Sequence, residues 1–220
     1  MDMYGFSSSA DMGIGCSGKL SFFKIIPILK YASCKNCNYS LMITNGPGYK
    51  NNENDKYKKI STQFVYGEKN LIKNDGFNVG LSYTTETYDL ELPKTDNRAL
   101  IGLFGGYSSN GLRVGGEYDL YTHPLFDITE TYTSNDMDQI TSQIMAVYTS
   151  YKINSKLEGL VRYDMYDPNT KTNKDGSNFM IAGLNYYPAN GLIITPNVRI
   201  TTPEEGEETT HAMLNFRFKF

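Results

Sequence analysis

Several things are scarce or missing in these 220 residues, and each absence excludes a class of protein. Tryptophan is absent, there are two histidines, His123 and His211, and there are three cysteines, Cys16, Cys34 and Cys37. No apolar run approaches the roughly 18 residues of a transmembrane helix. There is no basic excess either: 21 Lys and Arg stand against 24 Asp and Glu, a net charge of -3, which argues against a nucleic-acid partner. The N-terminal MDMYGFSSSADMG lacks the charged and apolar regions of a secretory signal. Cys34-Lys-Asn-Cys37 has C-x-x-C spacing, but no second pair completes a zinc site, and Asn38 follows where haem attachment needs His. Two loop cysteines, with or without a disulfide, are the plainer reading. Neither histidine sits in a nucleophile motif, so no enzyme is expected. No cofactor and no metal ligand set are expected.

What is abundant is glycine (20) and tyrosine (18), with 40% hydrophobic residues. Many short strands joined by Gly-containing turns produce that profile. A transmembrane β-barrel is compatible with it, because its apolar band alternates with polar residues and scores as hydrophilic overall.

The C-terminal passage alternates most clearly. Ala212, Leu214, Phe216, Phe218 and Phe220 fall on one face; His211, Met213, Asn215, Arg217 and Lys219 fall on the other. Leu112–Tyr121 sets Leu112, Val114, Gly116, Tyr118 and Leu120 against Arg113, Gly115, Glu117, Asp119 and Tyr121. Leu157–Tyr166 sets Leu157, Gly159, Val161, Tyr163 and Met165 against Glu158, Leu160, Arg162, Asp164 and Tyr166. Phe77–Glu86 and Leu192–Thr201 follow the same rule, and weaker candidates are 59–67, 98–108, 140–151, 179–187, 39–45 and 12–22. The count is about eleven strands of about 8–12 residues, the length that crosses a bilayer at a tilt.

Connections sort into two kinds. Ser109-Asn110-Gly111, Ile153–Lys156 and Ala189-Asn190-Gly191 are tight turns, and Lys73–Gly76 closes a slightly longer one. Between them lie Gly46–Lys56, Thr87–Asn97, Thr122–Gln139, Asp167–Ser177 and Thr202–Glu208, long and polar. Strict alternation of short and long connections is the habit of an outer-membrane barrel, with short periplasmic turns and long external loops. The expected fold is therefore all-β, one antiparallel transmembrane β-barrel domain over 1–220. An odd strand count suggests missing N-terminal strands and membership of a larger barrel of about 16–18 strands. The apolar stretch within Leu20–Asn38 has no place in this scheme.

At this point the sequence resembles the bacterial outer-membrane porins of the phosphate-selective porin O/P type, in its C-terminal part. The resemblance rests on Asp11-Met-Gly-Ile-Gly-Cys-Ser-Gly18-Lys19, Asn38-Tyr-Ser-Leu-Met-Ile-Thr-Asn45-Gly46-Pro-Gly48-Tyr49-Lys50, Arg162-Tyr-Asp164-Met-Tyr-Asp167-Pro168, Ala182-Gly-Leu-Asn185-Tyr-Tyr-Pro188 and Asn215-Phe-Arg-Phe-Lys-Phe220. It implies a location in the outer membrane and a homotrimer of water-filled diffusion channels for small hydrophilic solutes, among them anions such as phosphate. It also implies that the C-terminal strand ending at Phe220 is read by the barrel assembly machinery. The cysteines and Ser21–Cys37 depart from the pattern. A soluble extracellular β-sheet adhesin or carbohydrate-binding module, and an outer-membrane barrel enzyme, are the alternatives.

If the apolar faces are outward, the lipid-facing set includes Leu112, Val114, Tyr118, Val161, Tyr163, Val198, Leu214, Phe216 and Phe218. Tyr66, Tyr83, Tyr187 and Phe220 would form the interfacial girdles. The pore-lining set is then Lys59, Arg113, Glu117, Asp119, Glu158, Arg162, Asp164, Arg199, Arg217 and Lys219, with Arg162 and Arg199 near mid-strand favouring anions. The acidic run Glu204–Glu208 reads as solvated charge more readily than as a calcium site. The Thr122–Gln139 loop, with Asp127, Glu130, Asp136 and Asp138, either folds inward as a constriction or faces the medium.

Overall fold

The computed structural model describes residues 12–20, 36–45, 57–89, 95–124 and 139–219. These form eleven strands: β1 (Gly13–Lys19), β2 (Cys37–Thr44), β3 (Lys59–Gly67), β4 (Gly76–Asp89), β5 (Thr95–Ser109), β6 (Leu112–Pro124), β7 (Gln139–Lys152), β8 (Leu157–Asp167), β9 (Ser177–Ala189), β10 (Leu192–Pro203) and β11 (Thr209–Phe218). They build a single sheet in chain order, β1 to β11, antiparallel at every registered pair. No helix occurs among the described residues. All-β is thus observed. The order is linear, however, with β1 and β11 at its ends rather than paired to each other, so closure into a barrel is not observed.

Each sequence-expected strand has its counterpart, and several run longer than expected: β5 has 15 residues and β4 and β7 have 14 each, whereas β3 keeps the expected 59–67 and β1 spans Gly13–Lys19 within the expected 12–22. The reason is chemical. Polar ends such as Thr87 and Asn97 read as loop, yet their backbones still pair and their side chains bond each other, Thr87 Oγ1 donating to Asn97 Oδ1 at 2.7 Å. The strict alternation of connections fails for the same reason. The connection at 90–94 is shorter than the one at 68–75, which was expected to be the short kind. The Leu20–Asn38 stretch lies for the most part outside the described residues, as do Gly46–Lys56, residues 125–138 and Phe220.

Turn chemistry is as the sequence indicates. Asn110 and Gly111 both have positive φ, 50° and 83°, which lets two residues reverse the chain between β5 and β6 with the twist that strands require. In β9–β10 the register shifts between Leu192 and Ile194, leaving a bulge beside the Asn190-Gly191 turn.

Contacts group the chain into two units. The first holds β1, β2, β3, 80–103 and 119–141; the second holds 68–79, 104–118 and 142–220. Within the first, Lys59 lies opposite Thr44, and Asn38, Ser40, Met42 and Thr44 share a face with Lys59, Ser61, Gln63 and Val65. Thr84 Oγ1 donates to Ser61 Oγ at 3.0 Å, which carries that polar face onto β4. Within the second unit, Ile200, Val198, Pro196, Ile194 and Leu192 lie opposite Thr210, Ala212, Leu214, Phe216 and Phe218, and the alternate set joins Asn197 and Arg199 to Met213 and His211.

Close backbone approach fixes Gly183 on the polar face of β9. A Cβ there would meet Asn197 Cβ at 2.8 Å and Pro196 O at 2.9 Å, neither of which can swing aside. Gly183→Ala is expected to cost about 1–3 kcal/mol as an overpacking change, seen as a lower denaturant midpoint.

Candidate functional site: an apolar face and a charged face

More polar than apolar side chains are buried in this sheet. Among the described residues the buried apolar side chains are Cys37, Leu100, Ile144 and Ala146, whereas Thr44, Ser108, Asp119, Ser142, Glu158, Asp164 and Asn197 are buried and polar. All nine residues expected on the apolar face are exposed, from Leu112 at 36% to Phe218 at 59%. They have company on neighbouring strands: Met145, Val147 and Tyr151 on β7, and Met180, Leu184 and Tyr186 on β9, lie on the same face by register and are equally bare.

The opposite face of the second unit is a network of charge. Arg113 on β6 reaches past β7 to β8, where its Nη2 lies 2.7 Å from Glu158 Oε2. Glu158 also accepts from Tyr187 Oη at 3.4 Å and Asn185 Nδ2 at 3.5 Å. Asn185 Oδ1 in turn accepts from Thr195 Oγ1 at 2.7 Å. Four residues along β8 from Glu158, Arg162 Nε donates to both oxygens of Asp164, at 2.7 and 3.0 Å, and its Nη2 lies 3.7 Å from Glu117. On β10, Arg199 Nε donates to Asn197 Oδ1 at 3.0 Å. Glu158 and Asn185 are directly opposite in adjacent strands, whereas the arginine contacts either span β7 or run two residues along one strand.

The ten expected pore-lining residues are therefore not equivalent. Arg113, Glu117, Glu158, Arg162 and Asp164 are brought together in pairs. Asp164 and Asp119 are covered, at 0% and 1% exposure, and the Asp164 carboxylate accepts twice from Arg162. In the first unit, Gly102 leaves room for Asp119, whose carboxylate, with Ser82 Oγ, occupies the space a Cβ would take. Lys59 is half-buried, while Arg217, opposite Ile193, and Lys219 are exposed. The Arg162 guanidinium is shared between Asp164 at 2.7 Å and Glu117 at 3.7 Å.

Tyr187 needs correction as a girdle residue. It follows Asn185 by two and shares its polar face, as its bond to Glu158 requires; Tyr186 is the exposed neighbour. Tyr66 and Tyr83 are exposed. His123 stacks on Tyr121 with ring centroids 4.7 Å apart, and its Nδ1 lies 3.0 Å from Pro124 O. His211 lies opposite Arg199 and is exposed. Of the acidic run, Glu205 pairs with Lys174 at 3.1 Å and Glu208 accepts from Thr202. Cys37 is disulfide-bonded and Cys16 is free.

One element escaped the sequence reading. The 68–75 connection packs against β5 and β6 within the second unit. Asp75 accepts from Ser108 Oγ at 3.4 Å and from the Asn110 backbone N–H at 3.2 Å; Asn78 Nδ2 donates to Glu68 O at 3.1 Å. Leu71 lies over Gly106, where a Cβ would meet its Cδ1 at 2.9 Å. Two consecutive apolar residues, Leu71 and Ile72, inside a polar turn were the available signal. Between this segment and β6–β8 lies a cavity of about 520 Å³.

No family model matches the chain, and neither a curated protein nor a solved structure does.

Proposed function

We propose that this chain is a membrane-spanning part of an outer-membrane β-barrel porin, a water-filled channel for passive diffusion of small hydrophilic solutes. The carrying observation is the inverted polarity of the sheet. Contiguous bare apolar area of this extent is unstable in water and favourable against hydrocarbon. Strands of 10 to 15 residues over β4–β11 are long enough to cross the roughly 30 Å apolar core at a tilt. In lipid, the outer edges of β1 and β11 must be paired, since hydrocarbon satisfies no backbone group. Outer-membrane lipid, a trimeric assembly and recognition of the C-terminal strand by the assembly machinery belong to this reading. Catalysis has no part in it.

The experiment is insertion into planar bilayers. Stepwise ohmic conductance that rises in proportion to salt supports the channel, and absence of conductance from inserted protein refutes it. Charge selectivity follows from the geometry. Arg162 is neutralised by Asp164 and Glu117, whereas Arg199 is held by a neutral amide. Arg199→Ala is therefore expected to lower the anion-to-cation ratio at low salt more than Arg162→Ala does, and salt should abolish the difference. Reversal potentials under a salt gradient give the ratios. An equal or larger effect of Arg162→Ala would show that its ion pairs are open in the membrane.

A further inference from the structure

We infer that the cavity on the polar face of the second unit is a binding site for a small, uncharged, polyhydroxylated ring, a sugar of monosaccharide size. Its volume of about 520 Å³ falls within the range of small-molecule sites, roughly 300–1,000 Å³. Its wall combines Tyr148, Arg113 and Arg162 from the sheet with Lys69, Leu71 and Ile72 from the 68–75 segment. All of these residues belong to the same compact unit.

Tyr148 is the central feature. Its ring lies flat over Gly115, where a Cβ would meet Cε2 at 2.5 Å and Cζ at 2.6 Å. One side of the ring is thus covered by the β6 backbone, yet the side chain is 42% exposed and lines the cavity. A one-sided aromatic platform suits the flat C–H face of a pyranose, whose hydroxyls project at the rim. Arg162, directly opposite Tyr148 in the β7–β8 register, and Arg113, two residues before Gly115, supply donors at that rim. Ser150, which also lines the cavity, supplies a hydroxyl that accepts.

Charge selects against an anion. The two guanidinium groups are already matched by Glu158, Asp164 and Glu117, so a phosphate would have to displace a carboxylate at 2.7 Å. A neutral hydroxyl needs no such exchange, because it brings no charge to compete with those carboxylates. Leu71 and Ile72 give the opposite wall an apolar surface for the far side of the ring. Binding there requires no open passage, so the site stands apart from the channel reading.

The test is saturation-transfer NMR on the detergent-solubilised protein with three probes: glucose, its open-chain counterpart sorbitol, and inorganic phosphate. Transfer to the ring C–H protons of glucose is expected, with sorbitol binding at least several-fold more weakly. Tyr148→Ala should weaken glucose by about three- to tenfold, the scale of one aromatic stack, and Tyr148→Phe by less than about twofold. If Tyr148→Ala does not fold, Leu71→Ser, confined to the connecting segment, must itself weaken glucose by about two- to threefold. No transfer from glucose, equal binding of sorbitol, unchanged affinity in these variants, or displacement of glucose by phosphate would each overturn the proposal. Glucose binding without bilayer conductance would refute the channel and leave the site standing.

Discussion

Replacing Val161 by arginine is expected to destabilise the membrane-inserted protein by about 2–4 kcal/mol, whereas arginine at Phe216 should cost only about 0–1 kcal/mol. Val161 lies in the middle of β8, flanked on its own face by Gly159 and Tyr163 and opposite Thr149 and Ala182. It is 45% exposed in the isolated chain, so the medium, not the protein, sets the penalty. Phe216 lies near the end of β11, where a long arginine can reach the headgroups. In water the order would vanish, since both side chains are already bare and arginine on an exposed strand face costs little. Urea titrations in lipid vesicles, with folded and unfolded forms separated by gel mobility, give both values. Equal and small costs would mean that this face does not meet hydrocarbon.

The second large effect is expected inside. Asp164→Ala removes a fully buried carboxylate that accepts twice from Arg162. Leaving one partner of a buried pair commonly costs about 3–5 kcal/mol. The lower end, about 3 kcal/mol, is expected here because Arg162 keeps Glu117 at 3.7 Å and its side chain is 34% exposed. Asp164→Asn retains an acceptor oxygen and should cost about 1–2 kcal/mol. The same vesicle titration measures both. A loss near zero for Asp164→Ala would mean that water already solvates the pair. Such a result would make the polar face an open wall at this point rather than a packed lattice of charge.

The strands were legible because a two-residue period is a local property. Leu112, Val114 and Tyr118 declare one face by spacing alone, and the structure bares all three. In β10 and β11 the faces match by the same parity, with Val198 opposite Ala212 and Asn197 opposite Met213, though a two-residue slip would keep that parity and the register itself is not legible. Strand ends were less legible. Thr122, for example, sits on β6 and shares a hydrogen bond with Thr141 Oγ1, but two threonines so far apart in the chain carry no sequence signature of pairing.

The charged lattice was legible only as a list. Arg113 and Glu158 are separated by a whole strand, and nothing in either neighbourhood reveals that the Arg113 side chain spans β7 to reach its partner. Burial was illegible for a related reason. Asp119 and Arg217 both fall on the polar face by parity, yet one is covered and the other bare, because covering depends on neighbours in three or four strands. The 68–75 segment was misjudged because turn residues such as Asn74 and Gly76 masked Leu71, whose role appears only when Gly106 is seen beneath it.

The central claim is that the apolar face meets lipid and the polar face meets water. Nitroxide spin labels placed singly at Ala212, Met213, Leu214, Asn215 and Phe216, with Cys16 replaced by serine, test it most directly in protein reconstituted into vesicles. Collision with oxygen, which concentrates in hydrocarbon, should be high at 212, 214 and 216. Collision with a water-soluble nickel chelate should be high at 213 and 215. A two-residue alternation of opposite phase, or nickel access at all five positions, would contradict the account.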